Sequence, residues 1–415
     1  MAEHQGQALR AIRGSRIAWS ERIEDPRDTR NRVHAHHGLL SILAAAFSCG
    51  RICLRRVEDF SADIRANSRK KLGIREGVSD TTFYRVLSGQ RPEGFRESLQ
   101  AHVRQLIKDK GITNDLMPLG VMSFDGKLLW SSTTTTVEGA KTSVDEKSGV
   151  LTASLMSVRA VLTSSLVRPC VDFEVIGDKE GEAPAFRVVF PRACKAFGDQ
   201  FRIVTGDAGL ACRENAQMAV DANKFYLWNL KGNQPTLEVL AEKMFANCPG
   251  GLRRREEDYR NGCLVVRELY TVTINDVDEV DMADAQQFWR VRKQTFRDGE
   301  LVEEEVRDFI SGIPPRLLSP TNQLKLVRLH WGIENNHNWT MDVPLLEDDV
   351  QPCQKSRDAI EVVGWLRVLG YNLLSAWRAH AGKKDRRPIP WQRCLETLRD
   401  AWLSCFEGAT SATLV

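Results

Sequence analysis

The sequence predicts a mixed α/β protein: a helical, basic front, an α/β sheet interrupted by a β-rich insertion, and a helical end. Three observations carry this. Up to about residue 115 the apolar residues recur at helical intervals. From Pro118 three strand-like stretches precede alternating helix and strand, the pattern of a mixed sheet. Between 232 and 315 the texture turns to β-rich segments dense in Arg and Glu, and helical spacing returns near Thr321. The expected division is therefore 1–115, 116–231, 232–315 and 316–415.

In the first part, His37 to Phe47 is a strongly apolar helix ending at Gly50, and a second helix is expected from Leu54 to Lys71. Ser79 is an N-cap candidate for a short helix to Leu87. Phe95, Leu99, Val103 and Leu106 define a fourth. In the second part, Leu119 to Phe124 reads as a strand ending at Asp125, followed by strands over 151–163 and 166–175. A helix is expected over 183–197, with Pro191 casting its end into question. Then come a strand over 201–205 ending at Asp207, a helix over 214–222 and a strand over 225–230. In the third part, 259–274 and 285–296 have strand texture, and RRREED at 253–258 is a solvated charge run or an Arg cluster for phosphate. The fourth part holds a helix from about Thr321 and a long helix from Asp358 to Ala381. A basic run follows, Lys383 to Arg387, and the last residues look frayed.

Composition narrows the class. A chain of 415 residues with 42% hydrophobic and 27% charged residues is an ordinary globular protein with room for two or three cores. No apolar run spans a bilayer, and MAEHQGQALRAIRGSR lacks the apolar core of a secretory signal. The ten cysteines show no zinc-type pairing. An intracellular, cytoplasmic protein with no membrane partner is expected. The net charge of +3 hides an asymmetry: residues 1–110 hold 21 Lys and Arg against 13 Asp and Glu. A basic front suits a polyanion, or is simply a solvated surface. On the short helix after Ser79, Thr82 and Arg85 are placed to enter a DNA groove if the front is more than a helical bundle.

The chemistry concentrates in LHWGIENNHNWTMD, Leu329 to Asp342. Two Trp, two His, three Asn, one Glu and one Asp in fourteen residues suit neither a plain core helix nor a plain surface helix. At helical spacing His330, Glu334 and Asn338 share a face. Glu334 then stands on a stiff aromatic-anchored helix, either as a metal ligand or as part of a satisfied polar cap. Asp125 and Asp207 each follow a strand, where ligands gather in open α/β sheets, although turns favour Asp in any case. Together the three make an oxygen-only set suited to Mg²⁺ or Mn²⁺. A pair of such ions roughly 3.5–4 Å apart assists phosphodiester cleavage. Lys127 and Lys231 either hold backbone phosphate or are turn lysines. Arg328 and His330 contact DNA or brace Glu334, with a satisfied structural hydrogen bond the plainer reading for His330. Trp331 and Trp339 either anchor the helix or stack on a base, with the anchor favoured for Trp331. Asn335 is a further candidate DNA contact. A zinc site on His330, Glu334 and His337 fits poorly, the spacing not being HExxH.

The chain resembles a DDE-type insertion-sequence transposase, of the branch that includes the H-repeat-associated proteins. The resemblance rests on SFDGK at Asp125, VTGDA at Asp207, YLWNLKGNQPTL from Tyr226, HWGIENNHNWTMDV around Glu334, and LRVLGYNLL from Leu366. DPRDTRNRVH from Asp25 and SDTTFYRVL from Ser79 add to it, in order along nearly the whole chain. The first Asp motif departs from the family's DGKTLRGS, reading DGKLLWSS. The resemblance implies an RNase H-like core with Asp125, Asp207 and Glu334 as catalytic, metal-binding triad, behind a helical DNA-binding domain. It implies metal-dependent nicking of element ends and joining of the freed 3′-hydroxyl to target DNA, near the nucleoid. A homodimer is expected when two ends are paired. The alternatives are a DNA-binding relic without turnover and an endonuclease without strand transfer.

Overall fold

The computed structural model describes residues 19–247, 251–275, 280–381 and 389–408. The first eighteen residues, the basic run Lys383 to Arg387 and the last seven residues lie outside these. The front is helical as expected: α1 His36–Ser48, α2 Leu54–Asp63, α3 Ala66–Lys71, α4 Asp80–Ser88 and α5 Glu93–Lys108. Ser79 caps α4, its side chain accepting from the Thr82 amide at 3.3 Å. The single helix expected over 54–71 is two. Ile64 and Arg65 leave helical geometry, and Ile64 turns into the core.

One sheet organises the rest. Its strands are β1 Val121–Ser132, β2 Lys141–Val144, β3 Leu151–Leu162, β4 Cys170–Val175, β5 Ile203–Gly206, β6 Phe225–Leu230, β7 Leu252–Arg260, β8 Cys263–Thr273, β9 Gln287–Arg297 and β10 Glu300–Ser311. The order is β2-β3-β1-β5-β6-β10-β9-β8-β7, with β4 also on β3. β1, β3 and β4 pair antiparallel, whereas β1, β5 and β6 pair parallel. The strands of the 232–315 segment continue the same sheet, because β10 zips antiparallel onto β6. RRREED lies within β7, the exposed edge strand.

Helices cover both faces. α6 Glu182–Phe197 and α7 Arg213–Asp221 connect β4, β5 and β6, and Pro191 does not end α6. Phe186 of α6 packs edge-on against Phe124 of β1 and Trp228 of β6. α8 Pro235–Asn247 follows β6. The opposite face receives α9 Pro320–His330, a π-helical segment Ile333–Asn338 and α10 Trp339–Asp342. Val121, Ile203 and Leu227 pack there against Leu324 and Val327. α11 Arg357–Ala381 is buried nearly all round and shares a core with α1 and with α12 Trp391–Gly408. A Cβ at Gly370 would stand 2.9 Å from the Ser48 amide nitrogen, so α11 crosses α1 backbone to backbone. The front helices are thus packed onto the end of the chain. Among the described residues no helix is long and apolar enough to cross a membrane.

Candidate active site

The parallel pairing of β1 and β5 aligns Phe124 with Gly206. The next residues on the two strands are Asp125 and Asp207, side by side where β5 ends. Contrary to expectation, β1 does not stop at Asp125. It runs on to Ser132, paired with β3 alone. Asp125 faces the α9 side, where Asn338 of the π segment donates to its Oδ2 at 3.0 Å.

Asp207 is tied from β6. Asn229, buried, donates to Oδ1 at 2.8 Å, and the Lys231 ammonium meets Oδ2 at 2.8 Å. The same motif pins the turn that follows Asp207. Asn233 donates to the Ala208 carbonyl and Gln234 to the Ala211 carbonyl. KGNQ is therefore a clip on the Asp207 loop, which explains a polar motif directly after a buried strand.

Charge gathers here. Burial pushes the Asp125 carboxyl up to about 7, with the negative charges of Glu334, Glu182 and Asp207 adding to it. For Asp207 burial acts upward as well, but the hydrogen bonds from Lys231 and Asn229 outweigh it and hold the carboxyl below its usual range. Glu334 is exposed at the rim. Glu334, Glu182 and Asp207 thus each lie within electrostatic reach of Asp125. Glu182, at the start of α6, is a fourth acid that sequence reasoning missed. Burial and the Asp207 charge raise its carboxyl.

The oxygen-only donors fit a divalent cation, and the repulsion among them is what a cation would relieve. Asn229 Oδ1 and Asn338 Oδ1, beside the two aspartates, are buried without a hydrogen-bond partner. No group of three or more His, Cys, Asp or Glu among the described residues stands in metal-holding geometry.

The other expected contacts divide. Lys231 lies at the site on Asp207, whereas Asn335 is exposed and donates to the Trp331 carbonyl at 3.0 Å. Lys127 is buried and spoken for, its ammonium paired with Asp342 and, at 3.3 Å, with Asp348, so the expected phosphate contact gives way to an ion pair. His330 is 3% exposed. Its Nδ1 meets Thr205 Oγ1 at 3.2 Å, and burial lowers its pKa to about 4. Its burial leaves it almost no open surface. His330 and Glu334 differ in burial, the first enclosed and the second exposed in the π-helical segment. His337 is buried edge-on to Tyr371, which leaves a histidine zinc site without access. Arg328 pairs with Glu256 of β7 at 3.5 Å. Trp331 packs near Phe309 under the Arg307 guanidinium, as an anchor, and Trp339 is exposed. Thr82 and Arg85 lie on the outer side of α4, whose Phe83, Val86 and Leu87 are buried.

Residues 20–103 match the DDE_Tnp_1-associated family. A cryo-EM structure of a piggyBac transposase synaptic complex with hairpin DNA superposes with a TM-score of 0.47 at 9% identity, over 97% of this chain and 80% of that one. No curated protein matches the chain. The family match supports the resemblance to DDE-type transposases.

Proposed function

We propose that this chain, with its DDE_Tnp_1-associated front, is a DNA transposase that nicks element ends and joins the freed 3′-hydroxyl to target DNA. The observation that supports this reading is that Asp125 follows the strand position paired with Gly206, next to Asp207, and takes a hydrogen bond from Asn338, one turn on from Glu334. The strand order β4-β3-β1-β5-β6, antiparallel then parallel, supports an RNase H-like core. In this reading the core comprises 116–231 and 316–415, the 232–315 segment extends it, and the 1–115 helices bear on DNA through Thr82 and Arg85.

Asp125, Asp207 and Glu334 would hold Mg²⁺ or Mn²⁺, which lowers the pKa of water and stabilises the leaving oxygen. The protein's own residues set the geometry. Asn338 orients Asp125, while Asn229 and Lys231 fix Asp207. Lys231, half-exposed, presents a positive charge to the scissile phosphate. Water attacks phosphorus, the P–O3′ bond breaks, and the 3′ oxygen leaves as a hydroxyl. In the second step that hydroxyl attacks a target phosphorus, loses its proton to solvent, and displaces the target's 3′ oxygen. A dimer holding two ends, working at the nucleoid, follows from the same reading.

The test uses DNA flanking the chain's own coding sequence. Wild type with Mg²⁺ or Mn²⁺ should nick it and join a pre-cut 3′ end to a plasmid. Asp125→Asn, Asp207→Asn and Glu334→Gln should each lose at least ~100-fold, as when a transition-state contact is removed. Binding without nicking by wild type would leave a DNA-binding relic. Nicking without joining would leave an endonuclease.

A further inference from the structure

Glu182 lies outside the three acids that the motifs mark, yet two glycines make room for it. A Cβ at Gly126, in the middle of β1, would fall 2.0 Å from Glu182 Oε1. A Cβ at Gly209, in the turn after Asp207, would fall 2.5 Å from Glu182 Oε2. Each oxygen of one carboxylate therefore occupies a notch that only glycine leaves open, the first on the α6 face of β1 at the residue after Asp125 and the second in the turn after Asp207. Glycine inside a strand weakens it, and a close approach of another group is one of the reasons it is found there. Glu182 is half-buried, and none of the hydrogen bonds or ion pairs described for the chain involves it. Its position is not loose. α6 is fixed one turn later by Phe186, packed on Phe124 and Trp228. Asn229, 1% exposed, adds a buried amide oxygen without a partner beside Asp207.

We infer that Glu182 is a fourth carboxylate of the cation site, spanning from the Asp125 side to the Asp207 side and completing the ligands of a second divalent ion. The inference rests on the cation-dependent reading of Asp125, Asp207 and Glu334. Charge agrees with it. Three carboxylates leave two divalent cations with one positive charge unmatched, and Lys231 adds to that excess, whereas four carboxylates match two such ions in formal charge. The separate placement of Glu182, across the sheet end from the π segment, suits a ligand for the ion that Glu334 does not reach.

The test counts Mn²⁺ bound to the full chain by calorimetry and electron paramagnetic resonance, without DNA. Wild type should bind two ions. Glu182→Gln, of the same shape, should keep one and weaken the other at least tenfold. Gly126→Ala retains every acid and should do the same, because the new methyl expels only the flexible end of Glu182 from its notch. Unfolding curves in EDTA should show both variants folded. If Glu182→Gln and Gly126→Ala bind two ions as wild type does while Asp125→Asn loses them, the fourth-ligand inference falls and the three-acid reading stands. If Asp125→Asn also binds as wild type, or wild type binds none, both fall.

Discussion

Asp125 invites an experiment in which catalysis and stability move in opposite directions. Its carboxyl is raised to about 7 from an ordinary 3.8, by burial first and then by the charges of Glu334, Glu182 and Asp207. Between those two pH values the folded chain retains a proton that the unfolded chain has released, so stability falls as pH rises through the window and the full penalty is present above it. At 1.36 kcal/mol per pH unit the gap corresponds to roughly 4 kcal/mol, which salt and the partial exposure of the neighbouring acids reduce to about 2. Asp125→Asn removes the charge and can keep the bond from Asn338, because Asn also accepts through Oδ1. In EDTA at pH 8 the variant should therefore be more stable than wild type by about 2 kcal/mol, a rise of a few degrees in Tm. At pH 4 the two should coincide.

Thermal unfolding followed by Trp fluorescence reads this directly. Adding Mn²⁺ should reverse the order, since a ligand of the folded state stabilises only the chain that binds it. If Asp125→Asn were less stable than wild type at pH 8 in EDTA, Asp125 would not be crowded by negative charge, and the geometry drawn for the site would be refuted.

Two further perturbations test the scaffold around the cleft. Arg159 and Glu347 form an ion pair of 2.7 Å with both side chains fully buried. Arg159→Met leaves Glu347 to the more distant charge of Arg367 and should cost about 3 kcal/mol in urea unfolding, while Arg159→Met with Glu347→Met should recover most of it. Gly370→Val presses a side chain against the α1 backbone at Phe47 and Ser48, and should cost about 1–3 kcal/mol by the same measurement without changing Mn²⁺ affinity.

Where local pattern decides structure, the sequence was readable. α4 follows its Ser79 cap, β6 matches the 225–230 strand, and α11 matches the helix expected from Asp358 to Ala381 to within one residue. The errors fall where tertiary contact overrides pattern. Ile64 breaks a helix because the core draws it in. β10 was unread because its strand residues ELVEEEVRD look like a solvated charge run, yet it is the strand that joins the 232–315 segment to β6. α12 has no bounds in the sequence reading, which expects only a helical end, yet its Cys394, Leu398, Ala401 and Phe406 are buried in a core shared with the front helices.

The same distinction applies to the site. Asp125, Asp207 and Glu334 carry recognisable motifs because short stretches fix the backbone around each. What a linear reading hides is which stretches touch. Gly126 looks like the residue of a turn and so appears to end β1 at Asp125, whereas in the fold it is the opening through which α6 delivers Glu182. His330 and Glu334, one turn apart, come out differently, the first a buried structural histidine on Thr205 and the second an exposed acid in a π-helical segment. Lys127 is the sharpest case. Two residues from Asp125 on the same strand, it reads as a phosphate contact, but the loop after α10 brings Asp348 to it alongside Asp342. A basic residue beside an acidic motif is therefore weak evidence for DNA contact until its own counter-ion is known. Lys231 differs from Lys127, its partner being Asp207 itself and its side chain remaining half in solvent.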